Sequence, residues 1–231
     1  MNVLTILGID TSGRVASCAA ADKDKILCEK ILFTKLTHSQ IILPMANEVM
    51  NACGIGWEDI DGIAVANGPG SYKGLRIGIA AVKGICMGAP HIKCAGISTL
   101  EALAYNCLAF QGKIVPVMKA RPKIVYTGGF YSENGKLVRT DNDKVCGEEE
   151  LCASLDTSEK IMLTGDHAQE FKSSFFAEND NVITAPAADR LQKASSLCMA
   201  FAANPQYAVS PDRLEASYLQ ATKAEKDKAH R

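Results

Sequence analysis

The sequence predicts an α/β protein made of two halves that share one order of elements: three strands, then helix, strand, helix, strand and helix. Short apolar segments between polar turns indicate the strands. Capping residues ahead of longer apolar-periodic segments indicate the helices. The same order of elements returns after residue 110, which indicates an internal repeat of structure.

The first half opens with three strands and an antiparallel hairpin, because the polar turn between the second and third strands is short. A helix follows, with Thr37 and Gln40 at the spacing of a capping box and Gly54 as its C-terminal stop. The predicted strands are Val3–Asp10, Val15–Ala21, Ile26–Phe33, Asp61–Ala66 and Ile92–Ala95. The predicted helices are His38–Cys53, Leu75–Met87 and Ser98–Phe110.

The second half repeats this order, with Asn134-Gly135 as a hairpin turn. Its predicted strands are Ile114–Met118, Ile124–Tyr131, Lys136–Thr140, Lys160–Leu163 and Val182–Thr184. Its predicted helices are Glu148–Leu155, His167–Phe175 and Ala187–Ala203. Two such halves facing each other describe the actin-like ATPase (ASKHA, ribonuclease H-like) architecture. We therefore predict subdomains at 1–110 and 111–231, with 205–219 docking back on the body.

Composition narrows the class of protein. Apolar residues make up 47% and charged residues 22%, as in ordinary globular proteins, and the formal net charge is −1. A chain that binds nucleic acid alone usually carries a basic excess, which is absent here. No apolar run could span a bilayer, and the N-terminus does not resemble an export signal, so a cytoplasmic protein is predicted. Nine cysteines without a C-x-x-C pair favour reduced thiols.

Two polar segments are candidates for phosphate chemistry. Asp10, Thr11 and Ser12 end the first strand and could hold a phosphate-bound metal, or could simply form a polar turn. The loop Gly68–Gly74, with Gly68, Gly70 and Ser71, could bind an anion at a helix N-terminus or serve as a strand-to-helix turn. It matches neither a Walker A loop nor G-x-G-x-x-G. The four histidines are too far apart for a local metal pair, so no metal site and no catalytic residue are predicted.

Two helices of the first half have unusual surfaces. Ala80, Gly84 and Gly88 recur at a spacing of four, and Gly78 and Gly84 each cost a helix about 1 kcal/mol relative to Ala. The helix His38–Cys53 carries two apolar stripes where a surface helix needs one. The stripes comprise Ile41, Ile42, Met45 and Val49, and Leu43, Ala46 and Met50. Either one stripe and the small-residue face meet a partner, or both are buried in one domain.

Four segments in order resemble the bacterial TsaB (YeaZ) family. They are Gly8-Ile9-Asp10-Thr11-Ser12, His38-Ser39-x-x-Ile42-Leu43-Pro44, the run from Gly68 to Gly78, and Gly96-Ile97-Ser98-Thr99-Leu100-Glu101-Ala102-Leu103-Ala104. The resemblance is strong over residues 1 to about 105 and rests on length and pattern beyond them. The glycine run and the 98–104 segment are specific when taken together.

The resemblance implies a non-enzymatic subunit of the machinery that makes N6-threonylcarbamoyladenosine in tRNAs reading codons that begin with A. The implied partners are the catalytic subunit TsaD and the ATPase TsaE, with tRNA reached only through the complex and a homodimer formed when the chain is alone. No cofactor of its own is implied, and ATP or ADP is expected only at the junction with TsaD. The implied interface residues are His38, Ile41, Ile42, Met45, Val49, Leu75, Gly78, Ala81, Gly84 and Gly88.

Two enzymatic alternatives remain open at the level of sequence. One is an actin-like ATPase or phosphotransferase that uses Asp10 and the Gly68–Gly74 loop. The other is a metal-dependent enzyme of the M22 peptidase-like type. A third alternative is a self-sufficient homodimer with an unrelated binding role.

Overall fold

The computed structural model describes residues 4–22, 25–33 and 36–220, and these residues form two sheets and six α-helices. The first sheet contains β1 (Ile6–Asp10), β2 (Val15–Ala21), β3 (Ile26–Phe33), β4 (Gly62–Gly68), β5 (Lys93–Ser98) and β11 (Ala208–Val209). The second contains β6 (Gly112–Arg121), β7 (Ile124–Glu133), β8 (Lys136–Gly147), β9 (Ile161–Thr164) and β10 (Val182–Thr184). The helices are α1 (His38–Cys53), α2 (Tyr72–Gly88), α3 (Thr99–Tyr105), α4 (Glu148–Ser154), α5 (Ala168–Phe175) and α6 (Ala194–Ala203).

The strand order confirms the predicted repeat. The first sheet runs β11-β5-β4-β1-β2-β3 and the second runs β10-β9-β6-β7-β8, so β6 to β10 take the places of β1 to β5. In each sheet the first strand of the half pairs antiparallel with the second strand and parallel with the fourth. The chain has the predicted actin-like α/β fold.

Local sequence signals account for several element boundaries. Gly54 ends α1 in the left-handed conformation, with φ of 66°, and Thr37 N donates to Gln40 Oε1 at 3.2 Å. The β7–β8 hairpin turns through Asn134 and Gly135, both with positive φ, as a type I′ turn requires. The prediction ended β8 at Thr140, but the strand continues to Gly147, which still pairs with Ile124 of β7.

The predicted subdomain boundary is crossed by strand β11 of the first sheet and by two of the helices that cover the sheets. Helix α6 belongs to the second half in sequence, yet it packs on β1 and β2 of the first sheet. Helix α3 belongs to the first half, yet Leu100, Leu103 and Ala104 pack against Ile114 and Phe130 of the second. Helices α3 and α6 therefore pack across the predicted boundary between residues 110 and 111.

Helix α6 is shorter than predicted because of the segment before it, residues 187–193, which crosses from the second sheet to the first. Residues 187–193 do not form a helix, although the apolar pattern there predicted one from Ala187 onward. Their backbone carbonyls bond to other elements: Asn106 Nδ2 lies 2.8 Å from Asp189 O and 2.7 Å from Leu191 O, and Gly165 N lies 2.8 Å from Arg190 O. These tertiary bonds hold the segment in turns and bends as it passes from the second sheet to the first.

The segment 205–219 packs on the first half. Strand β11 pairs antiparallel with β5, Leu214 is buried in the core of the first half, and Ser217 N donates to Asn67 O at 2.7 Å. Within the described ranges, no helix is long and apolar enough to cross a membrane.

A charged network ties the second sheet to the first half. Arg139 on β8 forms ion pairs with Glu101 of α3, at 3.1 Å, and with Asp143. Asp143 also accepts a bond from Ser98, and Tyr207 OH donates to Glu101 at 3.3 Å. Burial raises the pKa of Glu101, and the Arg139 guanidinium opposes that shift. Glu101 is 8% exposed, so its charge depends on these partners.

We predict that Gly8→Ala will be strongly destabilising. A Cβ at Gly8 would overlap the backbone carbonyl oxygen of Ala194 and lie 2.8 Å from Cys198 Sγ, so α6 would have to move off β1. The expected loss is about 3 kcal/mol of unfolding free energy, the scale of an overpacked core, measured by urea titration. Gly88→Ala is the matched control: its Cβ meets open space, and unchanged or increased stability is expected. Equal stability of the two variants would contradict the tight packing of α6 on β1.

Candidate partner-binding groove

An open apolar groove lies between α1 and α2 on the outer surface of the first half. Its volume is about 520 Å³. Small residues of α2 form most of the groove wall. The larger side chains of Leu43 and Trp57 form the opposite side. The lining residues are Leu43, Trp57, Ala80, Ala81, Gly84, Ile85, Gly88 and Ala89. The lining has no charged side chain. The groove therefore suits apolar side chains of another protein better than a charged metabolite.

The glycines of α2 divide into an inward and an outward set. A Cβ at Gly78 would lie 2.6 Å from Thr11 Oγ1 and 3.2 Å from a Val65 methyl, so this glycine permits close packing inside the chain. A Cβ at Gly84 or Gly88 would meet nothing within 4 Å. The inward glycine is explained by the chain's own packing, whereas the outward pair has no internal partner.

Helix α1 contributes less to the exposed surface than predicted. The proposed interface residues Ile42, Met45 and Val49 are each 1% exposed, and Ile41 is 9% exposed. Both apolar stripes of α1 lie in the core formed with β2, β3 and α2, and Leu43 is the apolar side chain of those stripes that remains exposed, at 44%. The prediction that one stripe of α1 meets a partner was wrong: the strands and α2 surround this helix more completely than a single-stripe model allows.

Three further predicted interface residues also face inward. Leu75 is fully buried, and Gly78 packs on Thr11. His38 is half-buried at the start of α1, where its Nδ1 lies 3.1 Å from Thr11 O, outside the groove lining. Ala81, Gly84 and Gly88 are the predicted interface residues that line the groove.

The sequence reasoning missed the aromatic and cationic cluster at one end of the exposed α2 face. Tyr72 and Tyr218 lie with ring centroids 4.9 Å apart, and the Arg76 guanidinium sits 4.1 Å from the centre of the Tyr72 ring. Arg76 Nε donates to Tyr218 OH at 3.2 Å. Tyr72 and Arg76 continue the spacing of four that passes through Ala80, Gly84 and Gly88, so extending that stripe toward the N-terminus would have found them.

The structure brings the two predicted phosphate segments together, but in close contact with each other. Ser71 N donates to Ser12 O at 2.7 Å, and a Cβ at Gly70 would lie 2.5 Å from that same oxygen. A Cβ at Gly74 would overlap Thr11 O, and Thr11 Oγ1 donates to Gly74 O at 2.7 Å. The glycines of the Gly68–Gly74 loop thus accommodate the chain's own backbone at Thr11 and Ser12.

Asp10 is enclosed at the centre of this contact. It is fully buried, and its Oδ1 accepts bonds from Ser12 N and Ser12 Oγ at 2.8 and 2.7 Å. Its Oδ2 has no hydrogen-bond partner within the described residues. Burial raises the pKa of Asp10, opposed by the Ser12 bonds and the nearby His38. Because the chain's own backbone encloses this carboxyl group, the geometry favours the polar-turn interpretation.

Across the described ranges, no group of three or more His, Cys, Asp or Glu side chains is placed to hold a metal ion. All nine cysteines are free thiols, as predicted, and burial raises the pKa of Cys86 and Cys107 to about 11. Cys86 and Cys107 are therefore weakly ionised at neutral pH and poor nucleophiles.

Comparison with known proteins gives consistent matches. A family model described as TsaD, tRNA N6-adenosine threonylcarbamoyltransferase, matches residues 32–217. The tRNA threonylcarbamoyladenosine biosynthesis protein TsaB of Bacillus subtilis is 37% identical over 141 residues, which cover 61% of this chain and 61% of that protein. TsaB of Haemophilus influenzae is 30% identical over 171 residues, covering 67% of this chain and 69% of the relative. The chain thus aligns with less than two thirds of the Bacillus protein's length.

Among solved structures, YeaZ from Pseudomonas aeruginosa superposes with a TM-score of 0.79 at 22% sequence identity. The match covers 94% of this chain and all of that one. This likeness establishes a shared fold across both halves, including the second half, where the sequence resemblance is weak.

Proposed function

Because this chain belongs to the TsaB (YeaZ) family, we propose that it is a non-catalytic subunit for tRNA modification. It works in the cytoplasm with a TsaD-type transferase and a TsaE-type ATPase. Together they form N6-threonylcarbamoyladenosine at adenosine 37 of tRNAs that read codons beginning with A. The names of the curated relatives and of the matching family model support this reaction as the setting.

The observation that carries the proposed role is the outward pair Gly84 and Gly88. Gly84, inside α2, costs the helix about 1 kcal/mol relative to alanine, whereas Gly88 is the last residue of α2. Neither glycine has a neighbour that would exclude a Cβ. Packing inside this chain does not require glycine at these exposed apolar positions. Close approach of another protein's backbone would require it. We assign the groove between α1 and α2 as the docking site for the TsaD-type subunit.

The groove has the anatomy of a protein–protein interface. Its centre is apolar and free of charged side chains, while Met87 on the same helix is 80% exposed. Tyr72 and Arg76 stand at one end, and these are residue types that dominate binding energy at interfaces. A second copy of the chain can use the same groove when the transferase is absent, so homodimer and heterodimer are mutually exclusive.

The interior packing supports a role without chemistry of its own. The Asp10–Ser12 turn and the Gly68–Gly74 loop fill each other's space, which leaves no phosphate cradle between them. ATP or ADP is therefore expected at the junction with the transferase rather than between these two segments. The net charge of −1 similarly favours tRNA contact through the complex and not through this chain alone.

Reconstitution tests the proposal. Purified transferase, ATPase and this chain are combined with unmodified tRNA, ATP and the threonylcarbamoyl donor, and modified nucleoside is quantified after tRNA digestion. We expect efficient formation only when all three proteins are present, and none with this chain alone. Threonylcarbamoyl transfer by this chain alone, or an equal yield without it, would contradict the proposed role.

A further inference from the structure

A small cavity, of about 80 Å³, lies on the face of the second sheet that packs against α4. Strands β6, β7 and β8 form its floor, and the end of α4 forms one wall. All of these elements belong to the second half, so the cavity is separate from the groove on α2. The lining residues with polar groups or with no side chain on the floor are Lys113, Thr127, Gly128, Gly129, Asp141 and Lys144.

The cavity exists because α4 is short and two glycines lie beneath its end. In the repeated order of elements α4 takes the place of α1, but α4 has 7 residues where α1 has 16. Gly128 and Gly129 leave this part of the floor without side chains, and the pairing of β7 with β8 shifts register on both sides of Gly129. Irregularities of this kind occur often beside functional sites.

Side chains of both charges line the cavity. Lys113 and Lys144 carry ammonium groups, and the Asp141 carboxylate lies over Gly129, where a Cβ would overlap its Oδ2. Within residues 4–22, 25–33 and 36–220, none of these three charged side chains forms an ion pair. Thr140 Oγ1 donates to Asp141 Oδ2 at 3.1 Å, and this neutral hydroxyl leaves the carboxylate charge uncancelled.

A carboxylate outside the lining, Asp156, lies near Lys113 but has its own donor. Asp156 Oδ1 accepts a bond from Ser158 N at 3.0 Å. Hydrogen bonds from Ser158 lower the pKa of Asp156, and the Lys113 ammonium makes the smallest contribution to that shift. Asp156 is exposed and beyond ion-pair distance of Lys113, so the ammonium stays available to a ligand.

A buried hydroxyl in the lining lacks a partner. Thr127 is 1% exposed, and its Oγ1 has no hydrogen-bond partner in the part of the chain that the structure describes. Buried polar side chains normally have one, so a ligand oxygen at the floor would complete this group. Thr127 pairs across the sheet with Lys144, and directly opposite residues place their side chains on the same face.

We propose that this cavity binds a free α-amino acid with a short side chain. The ligand's carboxylate lies between Lys113 and Lys144 and accepts a bond from Thr127 Oγ1, and its ammonium group lies against Asp141. A zwitterion complements charges of both signs, whereas a simple anion would face Asp141 and a simple cation would face two lysines. The volume holds only a few water-sized groups, which suits a ligand of roughly six non-hydrogen atoms. The site is independent of the groove and of the proposed role in tRNA modification.

A nuclear magnetic resonance titration of the ¹⁵N-labelled full chain with L-alanine tests this site. We expect saturable shifts of the Gly128 and Gly129 amide signals, with a dissociation constant on the order of 1 mM. Acetate and methylammonium each carry one of the two charges and should each bind at least tenfold more weakly. L-Phenylalanine should give no saturable shift, because its ring exceeds the space available.

Variants of the lining separate the two ends of the ligand. Lys144→Gln and Asp141→Asn should each weaken L-alanine binding about tenfold, because each removes a bond to a charged group. Thr127→Val keeps the branched shape and removes the hydroxyl, so binding should weaken several-fold. Lys136→Gln, which replaces an exposed lysine of β8 outside the cavity, is the matched control and should have no effect.

Thermal unfolding verifies that each variant is folded before it is titrated. The proposal is overturned if L-alanine leaves the two glycine signals unshifted at about ten times the expected dissociation constant. It is also overturned if acetate binds as tightly as L-alanine, or if Lys144→Gln and Asp141→Asn both bind L-alanine like the parent chain. None of these measurements involves the transferase, so their failure leaves the proposed function untouched.

Discussion

Gly84→Leu is expected to weaken pairing with the TsaD-type transferase strongly while the chain stays folded. The leucine side chain would enter open space in the monomer, since nothing lies within 4 Å of a Cβ at this position. In the complex it would occupy the space of the approaching backbone. An overpacked contact of this kind costs about 2–3 kcal/mol, or roughly 30- to 150-fold in affinity. Calorimetry against the purified transferase measures the loss, and size-exclusion chromatography measures the loss of self-association.

The fold of the Gly84→Leu monomer provides an internal control. Leucine favours a helix by close to 1 kcal/mol over glycine, so the midpoint of thermal unfolding should be unchanged or higher. Gly147→Leu makes the same chemical change at the start of α4, where the nearest atom to a Cβ is Glu150 Cβ at 3.9 Å. That variant should bind the transferase normally. If Gly84→Leu binds as tightly as the parent chain, the groove does not receive the partner.

Arg139→Ala is expected to lower the free energy of unfolding by about 2–3 kcal/mol. The substitution leaves Glu101 buried without its cation, and removing one partner of a buried pair costs about 3–5 kcal/mol. The Arg139 side chain is 31% exposed, so solvent screening reduces that figure. Denaturant unfolding measures the change. A loss below about 0.5 kcal/mol would show that the network does not hold the halves together.

The pH dependence of this loss has a definite sign. Burial raises the pKa of Glu101 above its ordinary value of 4.5, and Arg139 partly offsets that shift. Arg139→Ala therefore raises the pKa of Glu101 further. An acid with a raised folded-state pKa reduces stability as pH rises through its unfolded value. The deficit should therefore be larger at pH 8 than near pH 5. Glu101→Gln in the Arg139→Ala background should recover at least half of the loss at pH 8, because no buried charge remains at position 101.

Local signals in the sequence predicted the element order and the fold because they act between neighbouring residues. The Thr37–Gln40 cap and Gly54 set the ends of α1, and Asn134-Gly135 sets the β7–β8 turn. With these boundaries placed, the repeated order of strands and helices was sufficient to predict two sheets of the same topology.

The direction in which a side chain faces was not predictable from the same signals. Gly78 and Gly84 lie on one helix and lower its stability equally relative to alanine. Gly78 packs on Thr11, whereas Gly84 faces open space. The difference depends on the β1–β2 turn, which lies far away in sequence. Likewise, the two stripes of α1 are both buried because β2, β3 and α2 surround it. The partner-binding face therefore belongs mainly to α2, and the exchange of α3 and α6 between the sheets followed from no local pattern.

Hydrogen–deuterium exchange on the complex with the TsaD-type transferase tests the docking assignment most directly. Binding should slow exchange in peptides covering α2 and the adjoining part of α1 around Leu43. The second sheet and the exposed edge of β3 should exchange as they do in the free chain. Protection confined to either of those regions, with α2 unchanged, would contradict the assignment of the groove as the partner's docking site.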